Sequence, residues 1–130
     1  MMPPSVLVVD DDEGTIETLT DILVAKRYRV ETALSGEAAV SLARRSRYDA
    51  VLMDIVMPGI NGVDALRSIK AVAPGTNVIM MTAFTRHELV EQAKEASALA
   101  VLPKPLDMDR LLALLERTTR KNGGSMGKPR

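Results

Sequence analysis

The sequence predicts a single α/β domain in which a parallel β-sheet is covered by helices on both faces. Two observations lead to this fold class. Short apolar runs rich in β-branched residues recur along the chain, and longer segments with helical periodicity separate them. Strands that alternate with helices pair in parallel, because each helix returns the chain to the starting edge of the sheet. A chain of 130 residues is long enough to bury the core of one such domain.

Five segments have the composition of strands. Residues 5–10, 49–54 and 77–83 are nearly continuous apolar runs, which is typical of parallel strands buried on both faces. Residues 28–33 alternate between polar and apolar positions, which indicates an edge strand or a half-buried strand. Residues 99–103 predict a short fifth strand.

A helical pattern follows each of these segments, which gives five helices. The first and third helices have apolar residues at helical spacing: Ile16, Leu19, Leu23, Val63, Leu66 and Ile69. Ser35 is placed to cap the second helix, whose apolar face is mostly alanine. The last helix has Asp107 or Asp109 near its start and basic residues near its end, as the helix dipole favours.

The composition indicates how the chain is divided into a domain and a tail, and in which cellular compartment the protein lies. We expect one domain over residues 1–121 and a flexible tail or linker at residues 122–130, which contain Gly, Ser and Pro without apolar periodicity. Basic and acidic residues balance at 17 each, so no bulk charge favours nucleic acid or a membrane surface. The chain has no Cys, no apolar run near the ~20 residues of a membrane span, and no signal-peptide pattern after its start. These features predict a cytoplasmic protein.

Charged and hydroxyl side chains stand where the predicted strands end, and in parallel α/β sheets sites form beyond the carboxyl ends of the strands. The candidates are Asp10, Asp11, Asp12, Asp54, Thr82 and Lys104. Crowded carboxylates need a cation to remain ionised together, and a cluster of hard oxygen ligands suits Mg²⁺. An ionised Asp54 could attack phosphorus without a neighbouring base and form an aspartyl phosphate. Lys104 would neutralise the charge of the transferring group, and Thr82 could hydrogen-bond a phosphoryl oxygen.

Four motifs occur in order and at fitting separations: VLVVDDD, LMDIVMPGING, MMTAF and VLPKPL. Their combination resembles the receiver domain of two-component response regulators, over roughly residues 5–120. The resemblance implies a flavodoxin-like, doubly wound sheet of five parallel strands in the order 2-1-3-4-5. It also implies a phosphoacceptor domain that catalyses only its own phosphorylation and slow dephosphorylation, rather than an enzyme acting on other substrates.

Residue roles follow from the same resemblance. It implies that Asp54 is the phosphoacceptor, that Thr82 is the switch hydroxyl, and that Lys104 binds the phosphoryl group. The implied Mg²⁺ site consists of Asp11 as a direct ligand, Asp10 acting mainly through water, Asp54, and the backbone carbonyl of Val56. The peptide bond between Lys104 and Pro105 is expected to be cis, a form that is common only before proline.

Partners are also implied by the resemblance. The phosphoryl donor is expected to be a histidine kinase or a phosphotransfer protein, and the signal is expected to pass to an output domain or a partner protein. The face made by the fourth helix, the fifth strand and the fifth helix could form a homodimer. This domain is not expected to bind nucleic acid or a membrane.

Three positions depart from the pattern of the receiver family. They put in doubt the conformational change by which phosphorylation usually affects the output face in this family. Val101 replaces a common aromatic residue, Ser97 replaces a common glycine, and Leu106 replaces a common phenylalanine. The resemblance also implies that Val56 and Phe84 flank the approach of water to the phosphoryl group, and neither side chain can orient a water by hydrogen bonding. These two residues predict slow hydrolysis of the phosphoprotein, and activation is expected to pass through Thr82 and the loop that carries Phe84.

Other interpretations of the same residues remain. Asp10 to Asp12 could cap the first helix, and Asp54 could merely form a turn before Pro58. The chain could be an interaction domain that does not switch. It could also be an aspartyl-phosphate phosphohydrolase of the haloacid dehalogenase type, although that family requires a second acid at the position of Val56, together with a cap and a longer chain.

Overall fold

The apolar runs form one sheet in the structure, a computed structural model that describes residues 3–83 and 87–127. The strands are β1 (Ser5–Val9), β2 (Arg29–Ala33), β3 (Ala50–Asp54), β4 (Asn77–Thr82) and β5 (Ala100–Pro103). All of them pair in parallel, in the order β2-β1-β3-β4-β5. The predicted fold class and strand order are confirmed, and the alternating segment forms the edge strand β2.

The helices are α1 (Glu13–Ala25), α2 (Gly36–Arg45), α3 (Gly62–Val72), α4 (His87–Glu95) and α5 (Met108–Gly127). Short polar side chains satisfy backbone N–H groups at the start of the first three helices. Asp12 accepts from the N–H of Thr15, and Ser35 accepts from the N–H of Ala38. The hydrogen bonds from the side chain and backbone of Thr15 also lower the pKa of Asp12. The predicted caps of α1 and α2 are therefore confirmed.

The core lies on both faces of the sheet, because successive strand residues point to opposite sides. In β3, Val51 and Met53 pack against α2 and α3. Ala50 and Leu52 pack on the other face, against α1 and α5. No helix of residues 3–83 and 87–127 has the length and apolar content needed to cross a membrane.

Helix α5 is longer than the sequence predicts. We predicted that the domain ends at residue 121, whereas the helix continues to Gly127. Adding one residue to an existing helix fixes the backbone of that residue alone and gains one hydrogen bond. The glycines at 123 and 124 therefore weaken the helix without ending it. The helix thus extends beyond the predicted domain end, the division into a domain at residues 1–121 and a tail or linker at residues 122–130 stays a prediction, and residues 128–130 lie outside the described part of the chain.

Ser97 lies two residues after the end of α4 and adopts the left-handed conformation, with a φ of 72°. In this cap the N–H of Ala98 donates to the carbonyl of Ala93, at 3.0 Å. A left-handed conformation costs a non-glycine residue roughly 1–2 kcal/mol. Ser97→Gly is therefore expected to raise the free energy of unfolding by about 0.5–1 kcal/mol, after the greater freedom of glycine in the unfolded chain is subtracted.

Urea denaturation of the parent and the variant measures this difference. Ser41→Gly is a suitable control, because Ser41 is exposed within α2 and glycine there should lower stability. A Ser97→Gly variant that is less stable than the parent would contradict the account of this cap.

Candidate functional site

The carboxyl ends of four strands meet at one edge of the sheet. Val9 is paired with Met53, which sets Asp10 beside Asp54 at the ends of β1 and β3. Asp54 is paired with Met81, so Thr82 follows on the other side of Asp54. Thr82 is paired with Pro103, which brings Lys104 to the same edge. The structure thus brings the predicted residues together.

Lys104 joins the two buried carboxylates. Its Nζ lies 2.7 Å from Asp10 Oδ2 and 3.1 Å from Asp54 Oδ2. Asp10 and Asp54 are only 1% and 7% exposed, so both carboxylates depend on protein partners in place of water. Burial lowers the pKa of Lys104, but the hydrogen bonds and charges of Asp10 and Asp54 outweigh burial and raise this pKa overall. Lys104 therefore remains a cation at this edge.

The site has more negative charge than Lys104 can balance. Asp10, Asp11 and Asp54 each offer a carboxylate oxygen, and these three oxygens lie within 4.8 Å of one another. Burial raises the pKa of Asp54, while the nearby charge of Lys104 lowers it and the charge of Asp10 raises it further; the net shift is upward. A second cation would therefore favour the ionised form of Asp54.

The donor set fits Mg²⁺, which prefers hard oxygen ligands. Asp10 already accepts two hydrogen bonds, from the N–H of Asp12 to Oδ1 at 2.9 Å and from Lys104 to Oδ2. Asp54 accepts from the N–H of Val56 at 3.2 Å through Oδ1. Asp11 is exposed, and its carboxylate has no hydrogen bond or ion pair with another described residue. Asp11 is thus the acid of the cluster that is most available to a metal ion.

The backbone around the site is tightly fixed. The N–H of Ile55 donates to the carbonyl of Met81 at 2.9 Å, and the N–H of Lys104 donates to the carbonyl of Thr82 at 2.8 Å. Thr82 is buried, at 3% exposure. The peptide bond between Lys104 and Pro105 is cis, as predicted. Each side chain of the site is therefore carried by a strand end that is hydrogen-bonded to its neighbour.

Comparison with known sequences shows the family of the chain. A sequence model of the response regulator receiver domain matches residues 6–116. The chain belongs to this family. The predicted resemblance is confirmed, and the acidic cluster of this receiver domain is consistent with the Mg²⁺ and phosphorylation sites of the family.

Two curated relatives illustrate the range of proteins that contain this domain. The receiver domain is 39% identical over 124 residues to the transcriptional regulatory protein ZraR of Salmonella typhimurium. The aligned region covers 93% of the chain but only 28% of that relative. It is 32% identical over 111 residues to sporulation initiation phosphotransferase F of Bacillus subtilis. Here the aligned region covers 85% of the chain and 90% of that relative. The domain therefore resembles both a part of a long regulator and nearly all of a short one.

A solved structure supports the fold and the chemistry of the cluster. The receiver domain of a sensor histidine kinase from Pseudomonas aeruginosa PAO1 is 32% identical, with a TM-score of 0.80, over 88% of this chain and 96% of that one. That structure has a magnesium ion coordinated in its active-site cleft. The comparison agrees with the fit of Mg²⁺ to the oxygen ligands described above.

The structure of this receiver domain gives less information on two residues, Phe84 and Val101, that were singled out from the sequence. Phe84 lies outside the described residues. Val101 is partly buried and packs against the core on the side of α2 and α3. A valine at this position has no ring that could swing inward behind Thr82, so the prediction of a different route of activation stays a prediction.

Two other residues of the site were missed by sequence reasoning. Gly62 starts α3, and a Cβ there would lie 2.3 Å from the carbonyl oxygen of Asp54. Glu37 of α2 accepts a hydrogen bond from the N–H of Ile60, in the loop between β3 and α3. The Pro-Gly turn pointed to a tight loop here, but no local pattern indicates that α2 contacts it.

Proposed function

We propose that Asp54 accepts a phosphoryl group, in a reaction that depends on Mg²⁺, from a histidine kinase or a phosphotransfer protein. The contact of Lys104 with both Asp10 and Asp54 carries this proposal, because it sets one cation beside the candidate nucleophile within an acidic cluster. A purely structural ion pair would need one carboxylate. The present arrangement leaves excess negative charge at the carboxyl edge of the sheet, where a phosphoryl donor can approach.

The metal site would consist of Asp11, Asp10, Asp54 and the carbonyl of Val56. Asp11 would bind directly, since its oxygens have no other described partner. Asp10 would act mainly through water, since it is more buried than Asp54 and forms the shorter contact with Lys104, at 2.7 Å against 3.1 Å. When bound, Mg²⁺ supplies charge neutralisation for the carboxylates and for the transferring group.

In the transfer step, a carboxylate oxygen of Asp54 attacks phosphorus and forms an acyl phosphate. The bond between phosphorus and the imidazole nitrogen of the donor breaks, and its electron pair stays on that nitrogen. Lys104 can move its ammonium from the Asp54 carboxylate to a phosphoryl oxygen, and the Thr82 hydroxyl can donate to another. Catalysis by these side chains consists of positioning and charge stabilisation.

The signal would then pass to an output domain or to a separate partner. The match to only 28% of ZraR fits the first possibility, and the match to 90% of the Bacillus phosphotransferase fits the second. The face of α4, β5 and α5 is the surface that we propose for a homodimer. We place the protein in the cytoplasm, where kinases and phosphotransfer proteins of two-component systems act.

Incubation with acetyl phosphate and Mg²⁺, followed by intact mass measurement, tests this function. The proposal predicts a stable single phosphoryl adduct that does not form when Mg²⁺ is removed by a chelator. Continuous consumption of the donor without an adduct would indicate a phosphohydrolase, and no reaction would indicate an interaction domain that does not switch. Either of these results would overturn the proposal.

Asp11 and Asp12 should differ in their effect on metal binding. Asp11→Ala removes the proposed direct ligand and is expected to weaken Mg²⁺ binding by about tenfold or more, by analogy with the loss of a hydrogen bond to a charged group. Asp12→Ala removes the α1 cap and should lower stability by about 1 kcal/mol with a small effect on affinity. Titration of both variants with Mg²⁺, followed by NMR, measures the difference. Equal losses of affinity would mean that the ligand is misassigned.

The phosphoprotein should be long-lived. Val56 is 39% exposed beside the acceptor and presents apolar surface that cannot orient an attacking water. Val56→Asn is expected to speed the loss of phosphate by up to about tenfold, which corresponds to about 1.4 kcal/mol. Adding Phe84→Glu should increase this effect.

Single-turnover decay of purified phosphoprotein measures these rates. Val72→Asn is a suitable control, because Val72 is similarly exposed at 45% but lies at the end of α3, away from Asp54. A double variant that loses phosphate no faster than the parent would contradict this role of the two positions.

A further inference from the structure

A glutamate of α2 contacts the loop that follows the acceptor strand. Glu37 Oε2 accepts from the N–H of Ile60 at 3.2 Å. The carboxylate also covers Gly59, where a Cβ would lie 2.7 Å from Oε2 and 3.0 Å from Oε1. Beside it, a Cβ on Gly36 would lie 2.8 Å from Ile60 Cγ1. The first turn of α2 and residues 59–60 are therefore packed together, with no room for an additional side chain.

This contact is more specific than helix stability requires. An acid in the first turn of a helix is already favoured by the helix dipole and needs no partner. Glu37 instead reaches a residue 23 positions further along the chain. Gly59 has a φ of +83°, a conformation that glycine adopts readily, and the absence of a side chain there leaves space for the carboxylate.

The position of the contact connects it with the metal site. The loop starts at Ile55, whose carbonyl accepts from the N–H of Gly62 at 2.6 Å, so both ends of the loop are joined. Between these ends, Val56 is held by Asp54 and Ile60 is held by Glu37. Within the described part of the chain, Glu37 is thus the side chain of another helix that forms a hydrogen bond with the interior of the loop.

We propose that Glu37 is a positioning residue that holds this loop in the conformation in which Asp54 and the carbonyl of Val56 bind Mg²⁺. The inference rests on the proposed function, because it concerns the same metal site. A loop that is fixed before the metal binds loses less conformational freedom on binding, and the affinity is correspondingly higher. Glu37 is exposed and does not itself approach the acidic cluster as a ligand.

Three variants test the proposal: Glu37→Ala, Glu37→Gln and, as a control for loss of one surface charge, Glu17→Ala on the exposed face of α1. Hydrogen exchange of the Ile60 amide without metal reports on the contact itself. An NMR titration with Mg²⁺, followed through the amides of Asp11 and Val56, reports on affinity. We expect Glu37→Ala to speed exchange and to weaken Mg²⁺ binding by about three- to tenfold, the range expected for the loss of one hydrogen bond.

Glu37→Gln keeps an acceptor oxygen and should retain most of the affinity of the parent, and Glu17→Ala should match the parent. Unchanged Mg²⁺ affinity in Glu37→Ala overturns the proposal, whether or not exchange at Ile60 is faster. A loss in Glu37→Gln as large as that in Glu37→Ala also overturns it. A parent chain that binds no Mg²⁺ overturns the proposed function as well, so the two failures are distinguishable.

Discussion

Asp54→Asn is expected to abolish phosphorylation by acetyl phosphate while leaving the fold intact. The amide has nearly the same shape as the carboxylate but lacks the charged oxygen that attacks phosphorus. The substitution also removes the charge from one of the two side chains that contact Lys104, whose ion pair with Asp10 at 2.7 Å remains. Intact mass spectrometry measures phosphoryl incorporation, and circular dichroism checks the fold.

A control variant distinguishes the specific effect of Asp54→Asn from the effect of losing any carboxylate. Asp21→Asn changes an exposed carboxylate of α1, away from the carboxyl edge of the sheet, and should leave incorporation at the parent level. An Asp54→Asn variant that still gains one phosphoryl group as fast as the parent would rule out Asp54 as the acceptor.

Gly62→Ala is expected to cause a large loss of stability and to displace Asp54, the proposed acceptor. A Cβ at this position would lie 2.3 Å from the carbonyl oxygen of Asp54 and 2.7 Å from the Cα of Ile55. Both contacts are with backbone, so no flexible side chain can move aside. We expect the free energy of unfolding to fall by about 3 kcal/mol, the upper end of the usual range for overpacking.

The sign of this change is informative, because Gly→Ala within a helix normally stabilises it by about 1 kcal/mol. Gly75→Ala is a control for the added methyl group in open space, since Gly75 lies in the turn between α3 and β4 and a Cβ there meets nothing within 4 Å. Urea denaturation of both variants gives the comparison. A Gly62→Ala variant as stable as Gly75→Ala would mean that α3 does not pack against the end of β3 as described.

Much of the fold follows from local sequence patterns. The continuous apolar runs predicted β1, β3 and β4 within one or two residues, because a strand buried on both faces has no polar positions. Asp12 and Ser35 were recognisable as caps, because capping is a contact between residues three apart. The strand order came from the resemblance to a family, since pairing between strands depends on contacts that are distant in sequence.

The site was predictable to the extent that it consists of strand ends. Asp10, Asp54, Thr82 and Lys104 each follow or end a strand, so the parallel sheet alone brings them to one edge. Local patterns gave no indication of how the oxygens of Asp10 are shared between Lys104 and a backbone N–H. The contact of Glu37 with Ile60 was also missed, because a surface glutamate in a first helical turn is fully explained by its own helix.

The most direct test of the central claim is the chemical location of the phosphoryl group. The parent protein can be phosphorylated with acetyl phosphate and Mg²⁺, reduced with borohydride, and sequenced by mass spectrometry of its peptides. Borohydride converts an aspartyl phosphate to homoserine, so the account predicts homoserine at position 54 and unchanged aspartate at positions 10 and 11. Homoserine at another position, or a phosphoryl group that resists reduction on Thr82 or another hydroxyl, would contradict it.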